Sequence, residues 1–368
     1  MKENQDISTE KTRKSARPGT IAFIGGARPN FMKLAPLAVA LKKERMPFFV
    51  VNTGQHFDAA MAGRFFQEFG LAPDYSLKPS RASTLRQMAD ILLGCEKIFT
   101  REKPALVVVV GDVNSTLCAA LAARKMNIPV AHVEAGLRSR NPAMPEETNR
   151  ILTDHMSDML FVTEESGLKN ILSEGIATRA RFVGNIMIDT LASVLPSIGE
   201  SKEKFYFATL HRAENVDRKD VFSSILDALQ VIAKDLTIYL PLHPRTKKTA
   251  AAFGFLPRMR RALAILPPLS YHETIFYEKN ACLILTDSGG IQEEASFLGV
   301  PCLTLRTETE RPITVTRGTN TVAGVTRESI LRAYRRVQFR KKKCRIHLWD
   351  GKAGERIVRD IKKFLKRR

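Results

Sequence analysis

Short apolar runs alternate along this chain with longer stretches in which apolar residues recur at helical spacing. Runs at 21–25, 47–51, 105–110, 129–133, 160–162 and 181–183 have the length and content of strands, and 30–44 and 114–126 read as amphipathic helices among them. A second series follows: strand 205–209, helix 220–234, strands 237–241 and 263–266, helix 271–279, strand 282–286, helix 291–298 and strand 301–305. Such alternation predicts parallel sheets wrapped on both faces by helices. It restarts after a segment carrying Pro196, Gly199 and Ser201, so a boundary is expected near 190–203. The expected fold class is α/β, two doubly wound Rossmann-like domains facing a cleft. The first spans 20–195 and is completed by a C-terminal helix, 350–368; the second spans 196–349. Residues 1–19, polar and charged, are expected to be disordered.

Composition adjusts this picture only slightly. A chain of 368 residues, at about 150 per domain, agrees with two domains. No apolar stretch nears the roughly 18 residues of a membrane span, and the N-terminus has no apolar signal core. Membrane insertion is therefore not expected, and a cytoplasmic location is. Five cysteines, odd in number and set mostly in apolar runs, read as reduced core residues and not as a disulfide frame or zinc site. A net charge of +20 raises nucleic acid as a partner. Much of the excess, however, lies in the first 17 residues and after Arg327 without interleaved aromatics, so a general cationic surface is expected and a nucleic-acid partner is not.

Chemistry should lie just beyond the carboxyl ends of the strands, where parallel sheets bind ligands. Unusual residues do fall there: Gly25 to Pro29, Thr53 to His56, Gly111 to Thr116, His132 to Arg138, Leu210 to Asn215, His243 to Arg245 and Thr286 to Gly290. Ser288, Gly289 and Gly290 at a helix start offer free amides and the positive end of a dipole, a site for phosphate. Glu294, four residues past Gly290, lies on the same helix face one turn deeper and suits the hydroxyls of an attached ribose. Arg28, Lys33 and Arg311 are candidate counter-charges. Asp112 follows four valines, Glu134 follows an apolar run and Glu146 stands at a helix start; desolvated carboxylates at neighbouring strand mouths make general acids or bases usable near neutrality. His211 follows the first strand of the second domain, and His56 and His243 also stand at strand ends. His132 reads as a satisfied core histidine. Taken singly, each has a plain alternative: a capped helix, a solvated arginine, a turn carboxylate. No spacing among the seven histidines and the cysteines suggests a metal, and no cofactor is expected.

The ordered set is less ambiguous. "GGARPNFMKLAPL", "NTGQHFD", the long block from Val109 to Glu164, "FVGNIMIDTL", "TLHRAENVD", "LHPRT" and "LTDSGGIQEEASFLGVPCLTLRTETERPITVTRGTN" resemble, in order, the non-hydrolysing UDP-N-acetylglucosamine 2-epimerases. The likeness covers residues 20 to 325. It implies a glycosyltransferase-B type fold, a homodimer, and interconversion of UDP-GlcNAc and UDP-ManNAc in the cytoplasm for surface polysaccharide. Asp112, Glu134, Glu146 and His211 match the family's catalytic positions. Arg28, Lys33, Ser288, Gly289, Gly290, Glu294 and Arg311 match its UDP-binding positions, and Gln55 and His243 match those of a regulatory UDP-GlcNAc site in some bacterial members. The implied route expels UDP to form 2-acetamidoglucal and re-adds it with proton delivery to the opposite face of C2, which needs two proton-transfer groups. The sequence departs where the family's aromatic under uracil aligns with Thr274, leaving Tyr271 or Phe276 for stacking.

Three other functions share part of this pattern. A transferase of the same fold binds the same nucleotide sugar, but simple transfer needs at most one base, whereas three carboxylates and His211 are present. A hydrolysing epimerase releases free sugar. A silent UDP-sugar binder needs none of the acids.

Overall fold

The computed structural model describes residues 8–9, 19–55 and 69–368. His56 and most of the N-terminal tail expected to be disordered lie outside the described residues. The chain divides into two compact units, one formed by residues 1–190 with Asp350–Arg368 and the other by Leu191–Trp349.

The first unit is built on one sheet with strand order β1-β4-β3-β2-β5-β6-β7-β8. These are β1 (Ser8–Thr9), β2 (Ile21–Gly25), β3 (Phe48–Asn52), β4 (Tyr75–Ser76), β5 (Leu106–Val110), β6 (Val130–Ala135), β7 (Met159–Val162) and β8 (Ala180–Phe182). β1 pairs antiparallel with β4, and every other pairing is parallel. The central strands read as unbroken apolar runs because both of their faces are buried. On one face, Ile24, Val51, Val107 and Val109 pack against Ile91, Cys95 and Phe99 of helix Thr84–Glu102 and Cys118, Ala119 and Ala122 of helix Asn114–Lys125. The chain leaves β2 toward β3 on one side and resumes at β5 on the other, so the switch point lies between the carboxyl ends of β2 and β5. Helix Ala353–Lys366 packs against helix Arg28–Lys43, its start fixed by Asp189, which accepts from the amides of Ala353 at 3.0 Å and Gly354 at 2.7 Å.

The second unit carries an all-parallel sheet of order β11-β10-β9-β12-β13-β14. Its strands are β9 (Tyr206–Thr209), β10 (Ile238–Pro241), β11 (Ala264–Leu266), β12 (Leu283–Thr286), β13 (Cys302–Thr304) and β14 (Asn320–Val322). Helix Lys219–Ile232 buries Phe222, Ile225, Leu229 and Ile232 against Leu240, Leu285 and Ile330, each side chain contributing about 1.5–3 kcal/mol. Here the switch point lies between β9 and β12.

Helix Gly289–Leu298 ends at Gly299, which has φ +74°, and a Cβ built there would sit 2.5 Å from the carbonyl oxygen of Lys342. Left-handed geometry and a backbone collision act together, so Gly299→Ala is expected to lower stability by about 2–4 kcal/mol, read as a reduced denaturant midpoint at unchanged slope.

Candidate active site

At the switch point of the first unit, Asn30 ties two strand ends together. Its Oδ1 accepts from the amides of Gly26 (3.1 Å) and Ala27 (2.9 Å), and its Nδ2 donates to Val110 O at 3.0 Å. One turn further along the same helix, Lys33 is buried and ion-paired with Glu134. Glu134 adopts φ +77° where the β6–β7 register shifts between Val133 and Ala135. This bulge breaks strand alternation and re-aims the side chain toward the strand mouth, at a backbone cost of about 1–3 kcal/mol. Lys33 Nζ and Glu134 Oε2 each lie 3.4 Å from the Cβ position of Gly111, so these groups converge on the residue before Asp112. Arg28 heads the helix, but its side chain lies outside the described residues.

Asp112 Oδ2 is held by Arg150 through Nη2 at 2.6 Å and Nε at 3.0 Å, while Asn149 Nδ2 donates to the Asp112 carbonyl at 2.8 Å. The same guanidinium reaches Glu147 Oε2 at 3.0 Å. Burial works to raise the pKa of Glu147, but donors from the Ser139 and Arg140 amides and from Arg150 outweigh it and hold that carboxyl below its usual range. Glu146 is half-buried in the first turn of helix Pro145–Met156. The sequence predicts desolvated acids close to one another; the structure buries Glu134 but leaves the Asp112 side chain 32% exposed, it gives each of them a cation, and Lys33, expected to face phosphate, is engaged by Glu134.

Behind them His132 is a fully buried core residue. Its Nδ1 lies 2.7 Å from Asp154 Oδ1 and its Nε2 2.8 Å from Gly111 O. Asp154 also binds the Gly136 amide at 3.0 Å and Arg138 Nη1 at 2.8 Å. Burial opposes ionisation of Asp154, yet His132 and Arg138 keep its pKa below the usual range. Gln55 Oε1 accepts from Ser115 N (2.9 Å) and Oγ (2.7 Å), which fixes it over the start of helix Asn114–Lys125.

At the switch point of the second unit the adjoining strand ends are joined by a hydrogen bond of 2.6 Å between the hydroxyls of Thr209 and Thr286. Asp287, fully buried, accepts from the amides of His211 and Arg212, each at 3.0 Å, and from Asn215 Nδ2 at 3.2 Å. His211 Nδ1 stands 3.1 Å from Asp287 Oδ1, and His211 remains partly exposed. Burial acts to raise the pKa of Asp287, but His211 and these amides hold it below the usual range. Asp287 carries the signal that strand-end reasoning used, yet sequence reasoning did not single it out. The rings of His211 and His243 lie 5.8 Å apart. Burial first, then the nearby His211, depresses the pKa of His243, whose Nδ1 accepts from Arg245 N at 3.2 Å and caps helix Pro244–Ala252.

The sequence predicts a turn at 288–290 with a helix from 291, but the helix already begins at Gly289, so the glycines form its first turn. Ser288 N donates to Thr286 Oγ1 at 3.0 Å. A Cβ at Gly289 or Gly290 would meet nothing within 4 Å, so no neighbouring atom of the described residues demands glycine at either position. The two adjacent glutamates have separate tasks: Glu293 Oε1 lies 2.7 Å from Arg311 Nε, and Glu294 Oε1 accepts from the Tyr271 hydroxyl at 2.7 Å. Tyr271 is thus committed to a carboxylate, and of the two stacking candidates the half-buried Phe276 is the one without that duty. Among the described residues no cluster of His, Cys, Asp or Glu could hold a metal ion, and no helix is long and apolar enough to cross a membrane.

Two parallel-sheet α/β units, each with its polar groups at a switch point, define the glycosyltransferase-B-like class. The family model for UDP-N-acetylglucosamine 2-epimerase matches residues 39–362. A UDP-N-acetylglucosamine 2-epimerase of Methanocaldococcus jannaschii is 41% identical over 92% of this chain and 98% of that relative. A UDP-2,3-diacetamido-2,3-dideoxy-D-glucuronate 2-epimerase of Pseudomonas aeruginosa is 40% identical over 86% of the chain and 91% of that relative. The crystal structure of the Methanocaldococcus jannaschii UDP-GlcNAc 2-epimerase in complex with UDP-GlcNAc and UDP superposes with a TM-score of 0.83, at 38% identity, over 94% of this chain and 99% of that one. The chain belongs to the UDP-N-acetylglucosamine 2-epimerase family.

Proposed function

We propose that this protein interconverts UDP-GlcNAc and UDP-ManNAc without hydrolysis, supplying a surface-polysaccharide precursor as a cytoplasmic homodimer. The observation that carries the reading is the Lys33–Glu134 pair standing beside Gly111, the residue before Asp112, at the strand ends of the first unit, with a glycine helix start at Gly289 in the second. The Leu191–Trp349 unit takes the nucleotide. The Ser288-to-Gly290 backbone, with Arg311, neutralises the diphosphate, Glu294 accepts the ribose hydroxyls, and Phe276 faces the base. His211, oriented by Asp287, stabilises the charge that grows on departing UDP. Arg28 adds positive charge to the same task.

Departure of UDP leaves an electron-poor anomeric carbon, which acidifies the C2 proton. A carboxylate removes that proton to give 2-acetamidoglucal; UDP then re-adds at C1 as a proton arrives at the other face of C2. Asp112, Glu134 and Glu146 are the proton-transfer candidates, with Arg150 and Lys33 fixing the first two. All five cysteines are free, which suits a reducing compartment. Gln55 and His243 are assigned to a regulatory UDP-GlcNAc.

Incubation with UDP-GlcNAc in heavy water is expected to place deuterium at C2 of both the recovered substrate and the UDP-ManNAc product, seen by NMR. Product without C2 label sinks the elimination route, and free sugar in place of UDP-ManNAc sinks the non-hydrolysing assignment. Turnover of UDP-2,3-diacetamido-2,3-dideoxyglucuronate with none of UDP-GlcNAc overturns the choice of sugar alone.

A further inference from the structure

A buried imidazole stands directly behind the turn that carries Asp112. His132 lies on β6 between Ala131 and Val133, and all three side chains are buried. Burying an imidazole among apolar neighbours costs more than burying an apolar side chain of similar size, so packing alone does not call for it. Its Nε2 stands 2.8 Å from the carbonyl oxygen of Gly111, and its Nδ1 stands 2.7 Å from Asp154 Oδ1. A carbonyl oxygen only accepts, so Nε2 donates to Gly111. Asp154 is anchored in turn by the Gly136 amide at 3.0 Å and by Arg138 Nη1 at 2.8 Å.

Gly111 is the first residue past β5 and has φ +68°, a turn in which glycine leaves the backbone permissive. The Gly111 carbonyl and the Asp112 amide belong to one planar peptide unit. A hydrogen bond that fixes the carbonyl therefore fixes the plane from which the Asp112 side chain departs. Helix Pro145–Met156 holds Asp112 directly at two further points, Asn149 on its carbonyl and Arg150 on its carboxylate. The same helix carries Asp154, so through His132 it also holds the peptide that precedes Asp112.

We infer that His132 is a positioning residue for the reaction, setting the place of the Asp112 carboxylate through its hydrogen bond to the Gly111 carbonyl. The inference rests on the reading of Asp112 as a proton-transfer group. Such a group must stand within hydrogen-bond reach of the proton it moves, and a misplacement of about 1 Å can cost roughly a hundredfold in rate. The nucleotide is held by other residues, so the loss should fall on kcat and leave KM in place.

The test uses the full chain, UDP-GlcNAc and two substitutions that separate the ring nitrogens. Glutamine carries an amide N–H to the neighbourhood of Nε2, and asparagine carries one to that of Nδ1. His132→Gln thus keeps the bond to Gly111, and His132→Asn keeps the bond to Asp154. Each variant loses one buried hydrogen bond, so a merely structural residue would give the two similar melting temperatures and similar kcat. Here His132→Asn is expected to lower kcat by about 10–100-fold with KM within about twofold, while His132→Gln loses less than about fivefold. Asp154→Asn keeps the decision open should a histidine variant fail to fold. Its amide N–H meets Nδ1 and leaves Nε2 to donate to Gly111, so kcat should fall by less than about tenfold. Equal kcat in the two histidine variants overturns the inference, as do the reverse order, a loss carried by KM alone, or a larger fall in Asp154→Asn. Asp112→Asn separates the two levels: at wild-type turnover the proton-transfer reading falls and takes this inference with it, whereas a slow Asp112→Asn beside two equally fast histidine variants sinks this inference alone.

Discussion

Asp112→Asn is expected to lower turnover by about 10²–10⁴-fold with the unfolding transition in place, because the exchange keeps the shape of the side chain and removes a base. The surroundings make this variant cleaner than its neighbour. Arg150 loses one anionic partner when Asp112 becomes neutral but keeps Glu147 at 3.0 Å, so no buried cation is stranded. Glu134→Gln removes the ionic partner of a buried lysine, and breaking one side of such a pair costs about 3–5 kcal/mol. Its lost activity would therefore mix chemistry with altered folding. Circular dichroism melts alongside kcat distinguish the two cases, and Asp112→Asn with wild-type turnover would remove Asp112 from proton transfer.

The parallel sheets were legible because strands buried on both faces leave uninterrupted apolar runs, as 106–110 does. What escaped has physical reasons. Helix Thr84–Glu102 carries Gly94, a weak helix former, yet a Cβ there would lie 2.6 Å from the Leu77 side chain, so the glycine lets Leu77 pack close against the helix. Strands Tyr75–Ser76 and Asn320–Val322 are too short to show a period. At the site, the acids announced themselves by standing just past apolar runs, whereas their partners did not. Arg150 is 38 residues from Asp112 and Asp287 is 76 from His211, and nothing local distinguishes a clamping arginine from a solvated one. The bulge at Glu134 is likewise invisible in a run that reads as a plain strand, although it decides where that carboxylate points.

Asp287→Asn is expected to cut kcat by about a hundredfold through His211 and to destabilise the fold by about 1–3 kcal/mol. An amide offers one acceptor where the carboxylate serves three backbone or amide donors and the imidazole, so the substitution brings N–H against N–H. Because the pKa of Asp287 is depressed in the folded state, its ionised form stabilises the protein above the unfolded value near 3.9, and that contribution is lost as pH falls through the folded value. The stability gap between wild type and variant should thus be widest near pH 7 and close in strong acid, measured by denaturant unfolding at both. The catalytic part is isolated by a double-mutant cycle. If Asp287 acts by orienting His211, the double variant with His211→Gln turns over no more slowly than His211→Gln alone. Additive losses would mean that Asp287 serves the reaction by another path, and equal stability of wild type and Asp287→Asn at neutral pH would mean that its four contacts contribute nothing to the fold.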